Sequence, residues 1–401
     1  MAVYQYRNKI REYQNKIGDT LGPPKFSFDV IFLFLNNLTW RFALWGMIAL
    51  FLPIFLFERF NQSVQNVLIF YIVSGVLFGF LVPLGAKIMS KIGLKKSMIL
   101  ATPFLVAYCL TLYYFASYRL FVFLIFAILT ITLFRILYWT PYHVEFAKFT
   151  SQKDRGRQIA YLSSFGFIIG VIAPLLAGLI IDQLGFPILF IISMIIIAIS
   201  IFPLFFLSQV KEEYSFSYFQ TFKEAFSRKN RRLLIGYGSD GAQSIVSVVI
   251  WPIFIFGILN ENYVAVGGIT AAVILVTIIL NLVMGTLADI KKKRFLIKIG
   301  SGLYAFGWLI KMFVASGFQI FVVSAYHSFT GIIRGIPFTT FVYEQMADQG
   351  HYIDEYTVLR EVSLNVGRVL MLIACFILLG FVGLTWTFLL AAIASLFINI
   401  L

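Results

Sequence analysis

The sequence is poor in the residues from which catalytic and metal sites are built. Among 401 residues it has two cysteines and three histidines. Cys109 and Cys375 lie within apolar runs, so they predict neither a disulfide framework nor a metal site. His143, His327 and His351 are scattered along the chain and form no triad pattern with a serine and an aspartate. We therefore expect no enzyme activity and no cofactor.

Charged side chains are also scarce, at 12% of the chain, whereas 60% of the residues are hydrophobic and the mean hydropathy is +0.90. So much apolar surface excludes a soluble domain and predicts that the lipid bilayer is the solvent of this protein. The sequence lacks a glycine-rich loop ending in Lys-Ser/Thr, which argues against an ATP-driven pump. The segment 1–25 is polar and basic, without an apolar stretch before a cleavage site, so we expect no removable signal peptide.

The net charge of +14 would suit a nucleic-acid-binding protein, but the positions of the cations indicate a membrane topology instead. Of the 32 lysines and arginines, 25 lie in the N-terminal tail and in the loops after every second apolar run, and only Arg59 and Arg119 lie in the alternate loops. This asymmetry follows the positive-inside rule and places the N-terminus in the cytoplasm. We expect a multi-pass protein of the plasma (inner) membrane, with a cytoplasmic C-terminus and no nucleic-acid partner.

Twelve apolar runs are long enough to cross a hydrocarbon core of ~30 Å, which takes about 20 helical residues. The predicted spans are residues 34–57, 64–88, 97–116, 119–144, 158–181, 186–208, 234–257, 264–288, 295–315, 318–343, 357–379 and 384–401. They predict an all-α integral membrane protein with a cytoplasmic tail at 1–33, six-helix bundles at 34–208 and 234–401, and a linker at 209–233. Four phenylalanines recur in the linker at helical spacing, which predicts an amphipathic helix on the inner leaflet.

The two bundles are repeats of one another. The segment Pro53-Ile54-Phe55-Leu56-Phe57 returns as Pro252-Ile253-Phe254-Ile255-Phe256, an offset of 199 residues. Other landmarks recur at nearly the same offset: Gly85 and Gly285, Arg135 and Arg334, Glu145 and Glu344, and Gly166 and Gly367. Parallel six-helix repeats of this kind are related by an axis along the membrane normal. We therefore expect two pseudosymmetric bundles facing each other.

One short charged turn, Gly285-Thr286-Leu287-Ala288-Asp289, precedes four cations at 291–294 and separates two apolar runs. It resembles the signature loop of the major facilitator superfamily, Gly-x-Leu-Ala-Asp-(Arg)-x-Gly-(Arg/Lys)-(Arg/Lys), with a lysine replacing the second glycine. A degraded copy in the first half keeps Gly85, Gly93 and a basic tail, but has Ser90 in place of the carboxylate. The resemblance implies the twelve-helix major facilitator fold and a secondary active transporter.

Five of the ionisable residues inside predicted spans are candidate functional residues, because each costs several kcal/mol unless it faces a partner or a wet cavity. They are Arg41, Arg135, Asp240, Arg334 and Arg368. Arg135 resembles the fourth-helix arginine of proton-coupled exporters in the pattern Arg-x-x-x-Gly, with Trp139 in the place of the glycine. The alternative is that Arg135 and Arg334 each anchor the backbone of a helix broken by a proline.

Asp240 is the only carboxylate predicted well inside a span, and the offset of 199 makes it the counterpart of Arg41. A carboxylate in a low-dielectric cavity near an arginine changes its charge when a proton or a substrate alters its surroundings. One hypothesis is that Asp240 binds the coupling ion or a substrate cation. The other is a static ion pair that holds the halves together.

The cavity residues leave the substrate class open. Four arginines against one aspartate favour an organic anion, whereas aromatic residues such as Tyr138 and Trp139 would suit an amphipathic, drug-like compound or only pack against lipid. His327 would carry a proton or form one interhelical hydrogen bond. We expect a monomer that moves a small molecule by alternating access, coupled to a proton or another ion, with efflux as the direction for a drug-like compound and the choice between uptake and efflux otherwise open. The alternatives are a non-transporting or a lipid-moving protein of this fold.

A cytoplasmic gate follows from the family resemblance, because the signature loop of one half packs against the first turn of a helix in the other half. We expect Asp289 to pair with the basic turn at Arg155 and Arg157 when the cytoplasmic side is closed, and to release it on opening. The predicted gate comprises Gly285, Asp289, Arg294, Arg155, Arg157, Gly85 and Gly93. The alternative is that the basic loop only sets the topology.

Overall fold

The computed structural model describes residues 26–149, 155–211, 213–285, 293–347 and 353–400, and within these ranges every regular element is a helix. The first half contains α1 (Phe28–Arg59), α2 (Val64–Ile92), α3 (Leu94–Tyr118), α4 (Val122–Phe149) and the run Arg155–Ile199, which holds α5 and α6. The second half contains α7 (Arg231–Ile258), α8 (Tyr263–Gly285), α9 (Lys293–Lys311), α10 (Gly317–Ala347), α11 (Ile353–Leu378) and α12 (Trp386–Phe397).

Gly185 separates α5 from α6. Its backbone is left-handed, with φ 81° and ψ 170°, inside an otherwise continuous helical run. Only glycine adopts this conformation without steric cost, and Pro187 follows at the start of α6, where a proline fits the first helical turn. A single residue therefore replaces the four-residue loop predicted between the fifth and sixth spans.

Eight helices in the described ranges are long and apolar enough to cross a membrane, and one of these, Ile169–Phe206, includes the bend at Gly185. Large apolar side chains cover the outside of the bundle, among them Phe80, Phe126 and Ile279, each at least half exposed. A surface of this kind is stable against lipid rather than water. The all-helical membrane fold is confirmed, while the count of twelve spans stays a prediction that agrees with the order of the helices.

The repeat predicted from the sequence extends to irregular backbone. A π-helical segment, Phe42–Ile48, interrupts α1, and another, Val246–Ile250, interrupts α7. The turns that follow these two helices both contain consecutive non-glycine residues with positive φ, Asn61 and Gln62 in one and Asn260 and Glu261 in the other. Strained backbone rarely recurs by chance, so these features indicate that the halves share one structural plan.

The halves meet along two equivalent interfaces, where α2 packs on α11 and α5 packs on α8. Small residues bring the backbones together in the second interface. A Cβ atom at Gly178 would lie 2.6 Å from the carbonyl oxygen of Tyr263, and one at Gly267 would collide with the carbonyl group of Pro174. Such close approach is how membrane helices gain van der Waals contact when lipid removes the hydrophobic driving force.

The linker contains a helix of eight residues, Tyr218–Ala225, closed at its start by a capping box of Ser217 and Gln220. It buries Thr221 and Ala225 against the bundle and leaves Phe219 81% exposed. The preceding residues bind both halves: the backbone N–H of Tyr214 donates to Ser90 Oγ (3.3 Å), and that of Ser215 to Glu355 Oε1 (2.8 Å). The linker thus connects the end of α2 to the start of α11. The predicted domain boundaries stay predictions.

Candidate functional site

An ion pair lies within the second half, between α7 and α10. Arg334 Nη2 is 3.2 Å from Asp240 Oδ1, with side-chain exposures of 10% and 21%. Gln243, one turn further along α7, donates from Nε2 to the same carboxylate oxygen (3.1 Å), and the Tyr304 hydroxyl donates to Gln243 Oε1 (3.0 Å). The partner of Asp240 is therefore Arg334 and not its repeat counterpart Arg41. Because both partners belong to one half, this pair does not tie the halves together.

Aromatic rings support this ion pair from the side of α9. The Arg334 guanidinium lies 4.5 Å from the ring of Tyr304, and the His327 ring lies 3.8 Å from the same tyrosine. Both ring nitrogens of His327 are buried, and neither has a hydrogen-bond partner among the residues described. Lys311, 2% exposed, has its Nζ 4.1 Å from the Trp308 ring. Lys311 was not among the candidate residues selected from the sequence, and its place beside His327 was missed.

In the first half, Arg41 lies among aromatic rings of α1 and α4. Its guanidinium is 5.7 Å from the ring of Trp139 and 5.9 Å from that of Tyr142. Tyr138 is fully buried: its hydroxyl accepts from Trp40 Nε1 (2.8 Å) and donates to Asn36 Oδ1 (2.5 Å). Trp139 thus borders Arg41, whereas Tyr138 belongs to the packed interior that joins α1 to α4. A substrate role for Trp139 stays a prediction.

A third cluster joins the two halves and contains a carboxylate that the sequence analysis did not select. Glu361 of α11 is 7% exposed, accepts from Arg360 Nη1 (2.8 Å) and interacts electrostatically with Arg135 of α4 and Arg368 of α11. Arg368 also interacts with Asp240, which connects this cluster to the ion pair of the second half. Arg135 and Arg368 thus interact electrostatically with Glu361, Arg368 links it to the Asp240–Arg334 pair, and His143 links it to Arg41. We call these charged residues the network; that they line one cavity stays a prediction.

Glu361 lies inside the predicted span 357–379 but close to its start, whereas α11 begins at Ile353, so the carboxylate lies two turns inside the helix. Asp240 is therefore not the only carboxylate within a span. The available signal was the spacing of Glu361, Asn365 and Arg368, which places three polar residues on one face of an apolar helix. The Asn365 side-chain amide donates to the carbonyl group of Gly75, so this face contacts α2.

The network carries a surplus of positive charge. Its arginines are Arg41, Arg135, Arg334, Arg360 and Arg368, and its carboxylates are Asp240 and Glu361. Two of the arginines are engaged by the carboxylates. In the part of the chain that the structure describes, the other three form no ion pair, and Arg135 instead lies 3.9 Å from the ring of Phe78. Such a site attracts an anion.

The predicted cytoplasmic gate falls mostly outside the described residues. Asp289 lies there, as do the side chains of Arg155, Arg157 and Arg294, and Gly285 is the last residue of α8. The proposed lock therefore stays a prediction. Gly85 lies against the carbonyl group of Ile136, where a Cβ would collide, and so serves the packing of α2 on α4. Gly93, with φ 88°, ends α2 and donates to the carbonyl group of Met89 (2.7 Å).

The opposite end of the bundle, which the charge pattern assigns to the outside, is closed by polar contacts between the halves. The Tyr263 hydroxyl at the start of α8 donates to Glu58 Oε1 at the end of α1. Gln62 Nε2 donates to Glu261 Oε1 (3.1 Å), and these two residues are repeat counterparts. We call these two hydrogen bonds the outer contact. The outer contact was missed because both bonds join helix ends or turns of different halves, and a repeat offset does not report such contacts.

Comparison with known proteins agrees with this architecture. A family model described as Major Facilitator Superfamily matches residues 41–353. A curated relative, Uncharacterized protein YqgE of Bacillus subtilis (strain 168), is 24% identical over 253 residues, which make up 60% of this chain and 58% of the relative. The matched part thus spans less than two thirds of that relative.

Two crystal structures have a similar fold. One is of a POT family transporter in complex with 5-aminolevulinic acid, and the other is of a D-xylose-proton symporter. Each structure has a TM-score of 0.66 and is 12% identical to this chain. Each alignment covers 92% of this chain, and it covers 94% of the transporter and 96% of the symporter. Because the family model matches more than half of the chain, the resemblance seen at the signature loop is confirmed. This chain is a multi-pass membrane protein that belongs to the major facilitator superfamily.

Proposed function

We propose that this protein is a secondary active transporter that moves a small organic anion together with a proton. The observation that carries the proposal is the ion pair of Asp240 and Arg334, whose side chains are 21% and 10% exposed. It is connected electrostatically through Arg368 to the cluster between the halves. The D-xylose-proton symporter has the same fold, which supports a proton as the coupling ion.

Protonation of Asp240 would change the interactions of two groups at once. A neutral carboxyl group no longer attracts the guanidinium of Arg334 as an opposite charge. It also carries an O–H donor, which alters its hydrogen bonding with Gln243. The surplus of positive charge in the network then grows by one unit, which strengthens its attraction for an anion. Proton binding and anion binding therefore favour each other, as symport requires.

Arg135 and Arg368 are the residues that we assign to the substrate. They come from opposite halves, lie within electrostatic range of one another, and are both partly exposed. An anion between the two guanidinium groups would offset their repulsion and draw α4 and α11 together. The rings of Trp139 and Tyr142 near Arg41 would receive an apolar part of the same molecule, so an amphipathic anion fits both features.

The proposed working cycle is a rocking of the two halves about the central site. The outer contact keeps the outside closed in the conformation described here. We place the N-terminus in the cytoplasm of a plasma-membrane protein because cations concentrate in the loops of that side.

The test is proton flux in liposomes that contain the purified protein and a pH-sensitive dye. Organic anions and amphipathic drugs are added in turn, with and without a pH gradient. With a transported anion, Asp240→Asn is expected to abolish substrate-driven proton flux, while anion exchange without a gradient continues. Asp182→Asn is the matched control, because Asp182 is exposed at the outer end of α5. Unchanged proton flux in Asp240→Asn would refute the coupling role.

A second arm addresses the substrate. Arg135→Gln and Arg368→Gln are each expected to raise the anion concentration needed for half-maximal flux, because each removes one guanidinium from the anion. A protein of this fold that does not transport, or that moves lipid, would show no anion-dependent flux in the parent protein or in any of these variants.

A further inference from the structure

The two arginines that break the positive-inside pattern meet in one pocket. Arg59 and Arg119 are the only lysines or arginines in the predicted outer loops, and they follow different helices. In the structure both line a pocket of about 370 Å³ at the outer end of the bundle, together with Glu58, Gly185 and Tyr263. Residues separated by 60 positions in the sequence thus converge on one feature.

The pocket lining includes a carboxylate, Glu58, which attracts Arg59 electrostatically. The Glu58 carboxylate accepts a hydrogen bond from the Tyr263 hydroxyl across the halves. Arg59 and Arg119 interact with each other as like charges, and the Arg59 guanidinium lies 5.4 Å from the ring of Phe55. In the described ranges neither arginine forms an ion pair. Two adjacent guanidinium groups held beside a concave surface make an anion site of the kind that arginine builds with carboxylate or phosphate groups.

The backbone does not explain the choice of arginine at position 119. Arg119 ends α3 in the left-handed conformation, with φ 56°, and its N–H donates to the carbonyl group of Phe115 (3.0 Å). Glycine or asparagine is the usual residue at such a helix end. The side chain of Arg119 is exposed toward the pocket, so its charge is the property that remains to be explained.

We propose that this outer pocket binds a phosphate- or carboxylate-bearing anion between Arg59 and Arg119. The site is separate from the central network and does not depend on the proposed transport function. Two sources supply the same chemistry: a soluble anion outside the membrane, and the headgroup of an anionic lipid in the outer leaflet. Because the pocket includes both partners of the Glu58–Tyr263 hydrogen bond, a bound anion also lies next to the outer contact.

The experiment measures how fast phenylglyoxal modifies each arginine in the full-length protein in nanodiscs, with site-by-site quantification by mass spectrometry. In phosphatidylcholine nanodiscs, inorganic phosphate or succinate is expected to slow the modification of Arg59 and Arg119 at least about fivefold. Arg228, exposed in the cytoplasmic linker, is the internal control and should react at an unchanged rate. If phosphatidylglycerol protects the pair without added phosphate, the bound anion is the lipid headgroup.

Two variants complete the test. Arg119→Gln is expected to abolish the protection of Arg59, whereas Asp240→Asn is expected to leave it unchanged, which separates this site from the central one. The proposal would be overturned if, in both lipids, Arg59 and Arg119 each reacted at the same rate with and without each anion, as Arg228 does. Protection of Arg59 that persists in Arg119→Gln would overturn the assignment of the paired site.

Discussion

Removing the hydroxyl group of Tyr263 should open the outer end of the protein. Tyr263→Phe deletes the donor that binds Glu58 but keeps the ring, which packs against Phe256 with centroids 5.0 Å apart and against Phe186 at 5.6 Å. A hydrogen bond to a charged group contributes about 1.5–3 kcal/mol. Because the Glu58 side chain is partly exposed and water replaces the lost donor, we expect the lower end of this range.

About 1.5 kcal/mol corresponds to a roughly tenfold shift in the ratio of outward-open to outward-closed molecules. Spin labels at Asn61 and Asn262, on the two turns that flank the outer contact, would report this shift as a second, longer distance in double electron–electron resonance. Tyr118→Phe is the matched control, since it removes the same atom from a tyrosine that is 64% exposed at the end of α3. Identical distance distributions in the parent protein and Tyr263→Phe would show that the hydroxyl does not stabilise the closed outer end.

Two further predictions concern stability, measured by thermal unfolding in detergent. Gly267→Ala should lower the unfolding midpoint, because the added Cβ atom would collide with Pro174 and overpacking the interface costs about 1–3 kcal/mol. Gly268→Ala is the control, because a Cβ atom at that position meets no described atom within 4 Å. Equal midpoints for the two variants would contradict the close packing of α5 on α8. Lys311→Met should raise the midpoint, since it replaces a buried ammonium beside Trp308 with an apolar side chain of similar length. A lowered midpoint would mean that the ring contacts outweigh the cost of desolvation.

The sequence was sufficient for the family and the general architecture because both are recorded in local patterns. The offset that links Pro53 to Pro252 predicts two bundles, and the structure repeats this offset in the turns at Gln62 and Glu261. Each half also has a π-helical segment in its first helix. The bend at Gly185 was not predicted as a single-residue break, because a glycine with positive φ has the same sequence signal as any short loop.

The site was only partly predictable, because contact between helices is not encoded in the offset of a repeat. The offset correctly paired Asp240 with Arg41 as counterparts but not as neighbours, and the ion pair with Arg334 joins residues 94 positions apart. Glu361 was missed although the predicted span 357–379 contains it, because it lay only one turn from the predicted start, whereas the helix begins at Ile353. Helix ends depend on capping and tertiary contacts that apolar periodicity does not report.

The π-helical segments give the first helix of each half an adjustable register. A π-helical segment contains one more residue than the α-helical turn that it replaces. When the segment moves along the helix by one turn, the residues between its old and new positions rotate by about 100° about the helix axis. In α1 the segment begins immediately after Arg41, and in α7 it begins six residues after Asp240. Moving either π-helical segment along its helix would rotate the neighbouring charged side chain about the helix axis, while the portion of the helix beyond Pro53 or Pro252 stays in place. Such a move exchanges backbone hydrogen-bond partners and does not unfold the span.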